Sequence, residues 1–210
     1  MFAVAFVAGY LLGSLPTAYL FVKWKYNLDI RNEGSGNVGT LNSFEVTRSK
    51  SVGIAVLALD LLKGVAAALV CTLMDGGQFL SVAAGGIGVI VGHNYPVWLK
   101  FKGGRGLAPA AGVMFVIGWP FIAVWGFFWT LGYAVWREVN IGNVTATLLL
   151  LLFVIAAPDQ LVAGVVYSHI PVGGFRYFGV IFLILILAKL IDPVMTHIRE
   201  KRKGEHEPAP

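Results

Sequence analysis

Charge is scarce in this 210-residue chain: 13% of its residues are Asp, Glu, Lys or Arg, against 57% hydrophobic. That is too little to coat a soluble globule of this size, so a bilayer is the expected solvent. Cysteine is nearly absent. Cys71 stands alone in an apolar run, which excludes a disulfide framework and makes it a buried bystander thiol. The four histidines are scattered, and no metal-ligand cluster, phosphate-binding P-loop or Ser-His-Asp set can be assembled, so no metal and no cofactor are expected. No basic segment precedes the apolar run that begins at Met1, and no small-residue cleavage site follows it; it reads as a retained span and not as a signal peptide. The formal net charge of +5 comes largely from short clusters beside hydrophobic runs, the pattern of flanks facing anionic lipid and not of a nucleic-acid surface.

Apolar runs about 20 residues long, enough to cross roughly 30 Å of hydrocarbon, are present at about 2–22, 52–74 and 79–99. The connection after the first holds Lys23, Lys25, Arg31, Arg48 and Lys50; the one after the third holds Lys100, Lys102 and Arg105. The connection between them, Asp75 to Gln78, has no basic residue, which places the two basic loops in the cytoplasm and the N-terminus outside. The stretch 107–136 is long for one span, with Trp119-Pro120 at its middle. It reads either as a broken hairpin of two short helices followed by spans at about 139–157 and 176–196, or as one tilted helix with an extra crossing at 160–175. The first is preferred because Ser168, His169, Pro171, Gly173 and Gly174 make 160–175 poorly apolar. Either way the expectation is an all-α integral membrane protein of about seven transmembrane or half-membrane helices with polar cytoplasmic loops. Residues 1–198 form the membrane domain, and 199–210 form a basic, disordered cytoplasmic tail.

Chemistry is concentrated in the loops. In Arg31-Asn32-Glu33-Gly34-Ser35-Gly36-Asn37-Val38-Gly39-Thr40-Leu41-Asn42, the three glycines permit positive φ, so successive amides can converge on an anion. Ser35, Asn37, Thr40 and Asn42 add neutral donors, and Arg31 or Arg48 could supply charge. The plain alternative is a flexible polar turn. In the second loop Lys102 and Arg105 flank Gly103-Gly104 and Gly106 directly before an apolar helix, a second candidate anion site, or else a set of topogenic charges. His93, at the end of the third span, is a candidate substrate contact or a satisfied interfacial histidine. Asp60 and Lys63, three apart within a span, read as a structural pair more than as a substrate site. Asn140 and Asn143 either cap a helix or face the same cavity.

Taken together, Gly9-Tyr10-Leu11-Leu12-Gly13-Ser14-Leu15-Pro16, Asn32 through Gly39, Leu59-Asp60-Leu61-Leu62-Lys63-Gly64, Gly92-His93-Asn94-Tyr95-Pro96 and Phe101 through Ala108, with a weaker match at Val144-Thr145-Ala146-Thr147, are in the order of a known family. Over about its first 150 residues the chain resembles the bacterial acyl-phosphate:glycerol-3-phosphate acyltransferases, commonly called PlsY. The resemblance implies transfer of a fatty acyl group from acyl phosphate to the 1-hydroxyl of glycerol 3-phosphate, giving lysophosphatidic acid in phospholipid synthesis. It further implies a multi-pass protein of the cytoplasmic membrane, membrane lipids as partners, no nucleic acid, and a functional link to the enzyme that makes acyl phosphate. On this reading Ser35, Arg48 and Arg105 are catalytic. Gly34, Gly36, Asn37, Gly39, Asn42, Lys102, Gly103 and Gly104 bind substrate phosphate, and His93, Asn140, Asn143 and His197 are substrate contacts. Arg105 stands where the family usually has lysine, and Glu200 stands where its asparagine is sought. A diverged phosphate-ester-binding relative and, less favoured, an anion transporter are the competing classes; no inverted repeat supports the latter.

Overall fold

The computed structural model describes residues 1–204, with side chains through Met195 except at position 192. It is helical, and no strand is present among the described residues. The chain opens with α1 (Phe2–Ser14) and α2 (Thr17–Tyr26), one apolar path of 25 residues interrupted at Leu15-Pro16. Proline has no N–H to donate and its ring clashes with the preceding turn, so α1 stops and α2 restarts beyond it. The interruption frees the Leu15 carbonyl, which accepts a hydrogen bond from Lys63 Nζ at 3.1 Å.

A short loop helix, α3 (Thr40–Thr47), leads into α4 (Lys50–Met74), and α5 (Phe79–Asn94) returns beside α1. Their contact is backbone against backbone. A Cβ at Gly9 or Gly13 would overlap the carbonyls of Gly85 or Val89, and one at Gly88 or Gly92 would overlap those of Phe6 or Tyr10. The same device joins α4 to α6 (Leu107–Ile117), where Gly64 meets the Pro109 carbonyl and Gly112 meets that of Leu61. In lipid, where apolar burial does not favour helix association, small residues at the interface allow this close approach.

The broken-hairpin reading of 107–136 is the observed one. Gly118 separates α6 from α7 (Trp119–Trp136), with Pro120 in the first turn of α7, where its missing N–H costs nothing. Then α8 (Val139–Ala156) crosses back, α9 (Asp159–Ala163) is a five-residue turn, and α10 (Val172–Gly204) completes the bundle. The stretch 160–175 does not cross. Tyr167 is held at the α6–α7 turn by its amide on the Ile117 carbonyl (3.0 Å) and its hydroxyl on the Phe115 carbonyl (3.2 Å). Arg176 clamps the end of α8, donating to the carbonyls of Val154 and Ala157 and to Asp159, where a cation also complements the helix dipole. The core lies between α10 (Phe175, Phe178, Phe182, Ile186) and α6 and α8 (Val113, Met114, Leu150, Val154).

Counting α1–α2 as one, seven helical paths among the described residues alternate in direction. This gathers the segments 27–49, 95–106 and 137–138 at one end of the bundle, hereafter the loop face. Among the described residues four paths are long and apolar enough to cross a membrane: Phe2–Tyr26, Lys50–Met74, Val139–Ala156 and Val172–Met195. With only 11 residues, α6 reaches about 16 Å, roughly half the hydrocarbon. Two expected boundaries move: the third span ends as helix at Asn94, and the last helix continues to Gly204, into the segment expected to be a disordered tail. Lys, Arg and Glu are good helix formers, and cations suit a helix C-terminus. Residues 205–210 lie outside those described.

Gly88→Val places a branched side chain against the α1 backbone and is expected to destabilise the protein by about 1–3 kcal/mol or more, or to abolish recovery of folded material. Gly126→Ala, at a position with open space around it, is expected to leave stability unchanged or slightly raised. Thermal unfolding of the two variants in the same detergent checks both.

Candidate active site

The two glycine loops meet. At the loop face they border one cavity of about 570 Å³, to which the first loop contributes Ser35, Asn37, Gly39 and Asn42, and the second Arg105 and Gly106. The polar wall also holds Thr40 and Glu45 from α3, Asp60 and Lys50 from α4, His93 from α5, and Asn140 and Asn143 from α8.

The first loop is organised by Asn42. Its carboxamide, 2% exposed, donates from Nδ2 to the carbonyls of Asn37 (2.9 Å), Glu33 (3.1 Å) and Ile30 (3.3 Å), while Oδ1 accepts the Ser35 amide at 3.0 Å. With these bonds made, the Asn42 side chain holds the loop's shape and is not itself the phosphate donor that the sequence reading made it. Gly34 (φ +56°) and Gly36 (φ +70°) supply the left-handed backbone; at Gly34 a Cβ would also overlap Asn42 Oδ1. The Gly36 amide is bonded to the Glu33 carbonyl at 3.0 Å and neither glycine lines the cavity, so their part is in the shape of the loop. Before the loop, the Asp29 carboxylate caps a 3₁₀ turn and pairs with Arg31, whose side-chain hydrogen bond holds its pKa down to about 2.

The free amides lie one step further on. Thr40, Leu41 and Asn42 form the first turn of α3, with no side-chain cap and with all three residues on the cavity. Leu107 and Ala108 form the first turn of α6, likewise uncapped by a side chain and on the cavity. Two helix starts therefore present N–H donors and positive dipole ends to one space, which suits a phosphate.

The Gly103-Gly104 pair plays another part from the one expected. Its amides donate to the carbonyls of Asn94 (3.2 Å) and His93 (3.0 Å), and a Cβ on Gly104 would overlap the His93 ring. The pair is a packing joint between loop and α5. Lys102 is exposed and outside the cavity wall; Arg48 is exposed in a left-handed conformation at the end of α3, also outside it. Neither borders the site: Arg48 is itself left-handed, and Lys102 follows two left-handed residues, Lys100 and Phe101. Lys50, on the first turn of α4, lines the cavity where Arg48 was expected. Its sequence signal was that of one more topogenic charge.

Arg105 is the half-buried cation of the site. It donates to Asn140 Oδ1, Asn140 Nδ2 donates to Glu138 (2.8 Å), and Glu138 caps α8 through the Ile141 amide (2.5 Å). Burial lowers the Arg105 pKa and the carboxylates of Glu138 and Glu45 oppose that, leaving the guanidinium charged. Asn143 accepts from Trp129 Nε1 at 2.9 Å, so its Nδ2 is a donor without an acceptor among the described residues. Asn140 thus positions Arg105, and Asn143 is the member of the pair able to reach a ligand. The side chain of His197 lies outside those described.

The family model described as glycerol-3-phosphate acyltransferase matches residues 3–198. The chain belongs to the glycerol-3-phosphate acyltransferase family. The acyltransferase is 39% identical over 147 residues to glycerol-3-phosphate acyltransferase 2 of Moorella thermoacetica, covering 70% of this chain and 74% of that one. It is 40% identical over 160 residues to the glycerol-3-phosphate acyltransferase of Aquifex aeolicus, covering 75% and 80%. Among solved structures it is similar to PlsY, an integral membrane glycerol 3-phosphate acyltransferase, in its glycerol 3-phosphate form (TM-score 0.75, 28% identity, 100% of this chain and 96% of that one). The lysophosphatidic acid form of PlsY matches with a TM-score of 0.76 at 28% identity, over 96% and 93% of the two chains.

Arg105→Ala is expected to lower kcat/KM by about a hundredfold or more, the scale of losing a charged stabiliser of the transition state, with little change in thermal stability. Arg48→Ala and Lys102→Ala are each expected to stay within about threefold of the parent. Steady-state kinetics of the three variants tests the assignment of charge to the cavity.

Proposed function

We propose that this acyltransferase takes its acyl group from acyl phosphate and delivers it to the 1-hydroxyl of glycerol 3-phosphate, at the cytoplasmic face of the cell membrane. The observation that carries the reading is the convergence of two uncapped helix starts, Arg105 and Lys50 on one cavity, because both proposed substrates bear phosphate. Leu107 supports the greasy half of the reaction. It lines this cavity and also an apolar recess formed by Ala110, Met114, Phe121, Trp125 and Leu150, so an acyl carbon at Arg105 has hydrocarbon beside it. The clustering of Lys23, Lys25, Lys100, Lys102 and Arg137 at the loop face supports the cytoplasmic orientation by the positive-inside rule.

In the reaction the 1-hydroxyl oxygen attacks the acyl carbon, the bond from that carbon to the phosphate oxygen breaks, and the hydroxyl proton leaves with the phosphate. Acyl phosphate is a mixed anhydride with a good leaving group, so holding the reactants together and neutralising charge provide much of the rate. The Ser35 hydroxyl, on the loop that Asn42 braces, and the Asn143 amide donate to phosphate or carbonyl oxygen. The donor ties the protein to whichever enzyme makes acyl phosphate at the same membrane.

Purified protein given acyl phosphate and glycerol 3-phosphate is expected to release equal amounts of lysophosphatidic acid and inorganic phosphate. Turnover with acyl thioesters and none with acyl phosphate would overturn the donor assignment. Ser35→Ala is expected to lower kcat about ten- to a hundredfold while leaving the unfolding temperature within a few degrees.

A further inference from the structure

The polar groups of the cavity sort into two kinds. The donors described above suit phosphate oxygens, which at neutral pH accept and hardly donate. Acceptor oxygens are the other kind: those of Glu45, exposed and acting on Arg105, and of Asp60 and Asn37. Asp60 is 1% exposed overall, yet lies on the cavity wall. Its Oδ1 takes Thr17 Oγ1 at 2.5 Å and Lys63 Nζ at 2.9 Å, with His93 Nδ1 at 3.8 Å. Its Oδ2 has no donor among the described residues. Asn37, also on the wall, has a buried Oδ1 without a donor among the described residues. Its neighbour Val38 lines a small recess with Lys63, Thr17 and His93, the residues around the Asp60 carboxylate.

A buried acceptor without a partner, such as Asn37 Oδ1, is costly, and a ligand in the cavity can supply the donor that it and the Asp60 carboxylate lack. Phosphate cannot, since it would bring negative charge against a carboxylate, whereas a hydroxyl can. With Oδ1 taken by Thr17 and Lys63, what the carboxylate offers a ligand is a hydrogen-bond acceptor at Oδ2. We infer that Asp60, seconded by Asn37, reads the non-reacting 2-hydroxyl of the acceptor and so selects a glycerol phosphate over a simple alcohol phosphate. The assignment of the 2-hydroxyl rests on the proposed reaction: the reacting hydroxyl must face the acyl carbon at the Arg105 and Leu107 end. What remains for the Asp60 end is the 2-hydroxyl. The Lys63 bond to the Leu15 carbonyl and the Thr17 hydroxyl fix the carboxylate by way of the Pro16 break, which ties acceptor recognition to the kink in the first span.

The test compares glycerol 3-phosphate with 3-hydroxypropyl phosphate, which keeps the reacting hydroxyl and the phosphate and lacks only the 2-hydroxyl. The parent is expected to favour glycerol 3-phosphate in kcat/KM by about a hundredfold or more, since a site built to bind a hydroxyl rejects the analogue without it. Asp60→Leu combined with Lys63→Met removes acceptor and buried charge together, a swap that buried ion pairs often tolerate. That double variant is expected to use the analogue about as well as the parent does, with the preference reduced to within about threefold. Retained turnover of the analogue certifies folding. A parent that treats the two acceptors alike, or a double variant that keeps the full preference, overturns the inference while leaving the acyltransfer reading intact. If the double variant does not fold, Asn37→Leu in the parent background decides, with a drop in preference of about fivefold or more expected and an unchanged preference overturning the proposal. Failure of the parent to acylate either acceptor overturns the acyltransfer reading and the inference together.

Discussion

Backbone contact between helices is the constraint on which the rest of this molecule depends. Where Gly9 and Gly13 meet α5, and Gly64 meets α6, no side chain separates the helices, so their ends cannot slide or splay without opening voids along the whole contact. Those contacts set α1 against α5 and α4 against α6. The loop before α3 and the loop before α6 are thereby brought to opposite walls of the same cavity. Gly103 and Gly104 extend the principle into the second loop by seating it on the His93 and Asn94 carbonyls.

On that frame, charge is placed with economy. Two helix starts left without side-chain caps provide the amides that a glycine-rich cradle was expected to provide, and a third, at α8, is closed by Glu138, whose other carboxylate oxygen braces Asn140 and through it Arg105. The Asp60–Lys63 pair would be costly alone in a span, but a proline break lends it a backbone carbonyl and Thr17 a hydroxyl, so nearly every polar valence is met. Donors that suit phosphate and oxygens that accept thus share one cavity, with lipid-like walls behind Leu107.

Much of this was legible beforehand. Apolar runs of bilayer length, the basic loops and the Trp119-Pro120 interruption were enough for the bundle and for the hairpin at 107–136, because hydropathy and proline act locally. Ser35, Asn37, Gly39, His93, Arg105, Asn140 and Asn143 were named and do share the cavity. Asn42, Gly103 and Gly104 were named for the wrong role. A carboxamide or an amide reads the same in a sequence whether it faces a ligand or a neighbouring carbonyl. Arg48 and Lys102 were misplaced for a related reason, since a cation next to a glycine loop gives no hint of where a left-handed turn will aim it.

Composition and order of motifs therefore determined the solvent, the helical class, the family and the neighbourhood of the site, all of which follow from residue type and spacing along the chain. Only the tertiary structure decided which donors remain free, which cation enters the cavity, and that Asp60 borders it. Those are questions of which hydrogen bonds are already spent. The answer depends on carbonyls and side chains tens of residues away, brought within about 3 Å by helix packing.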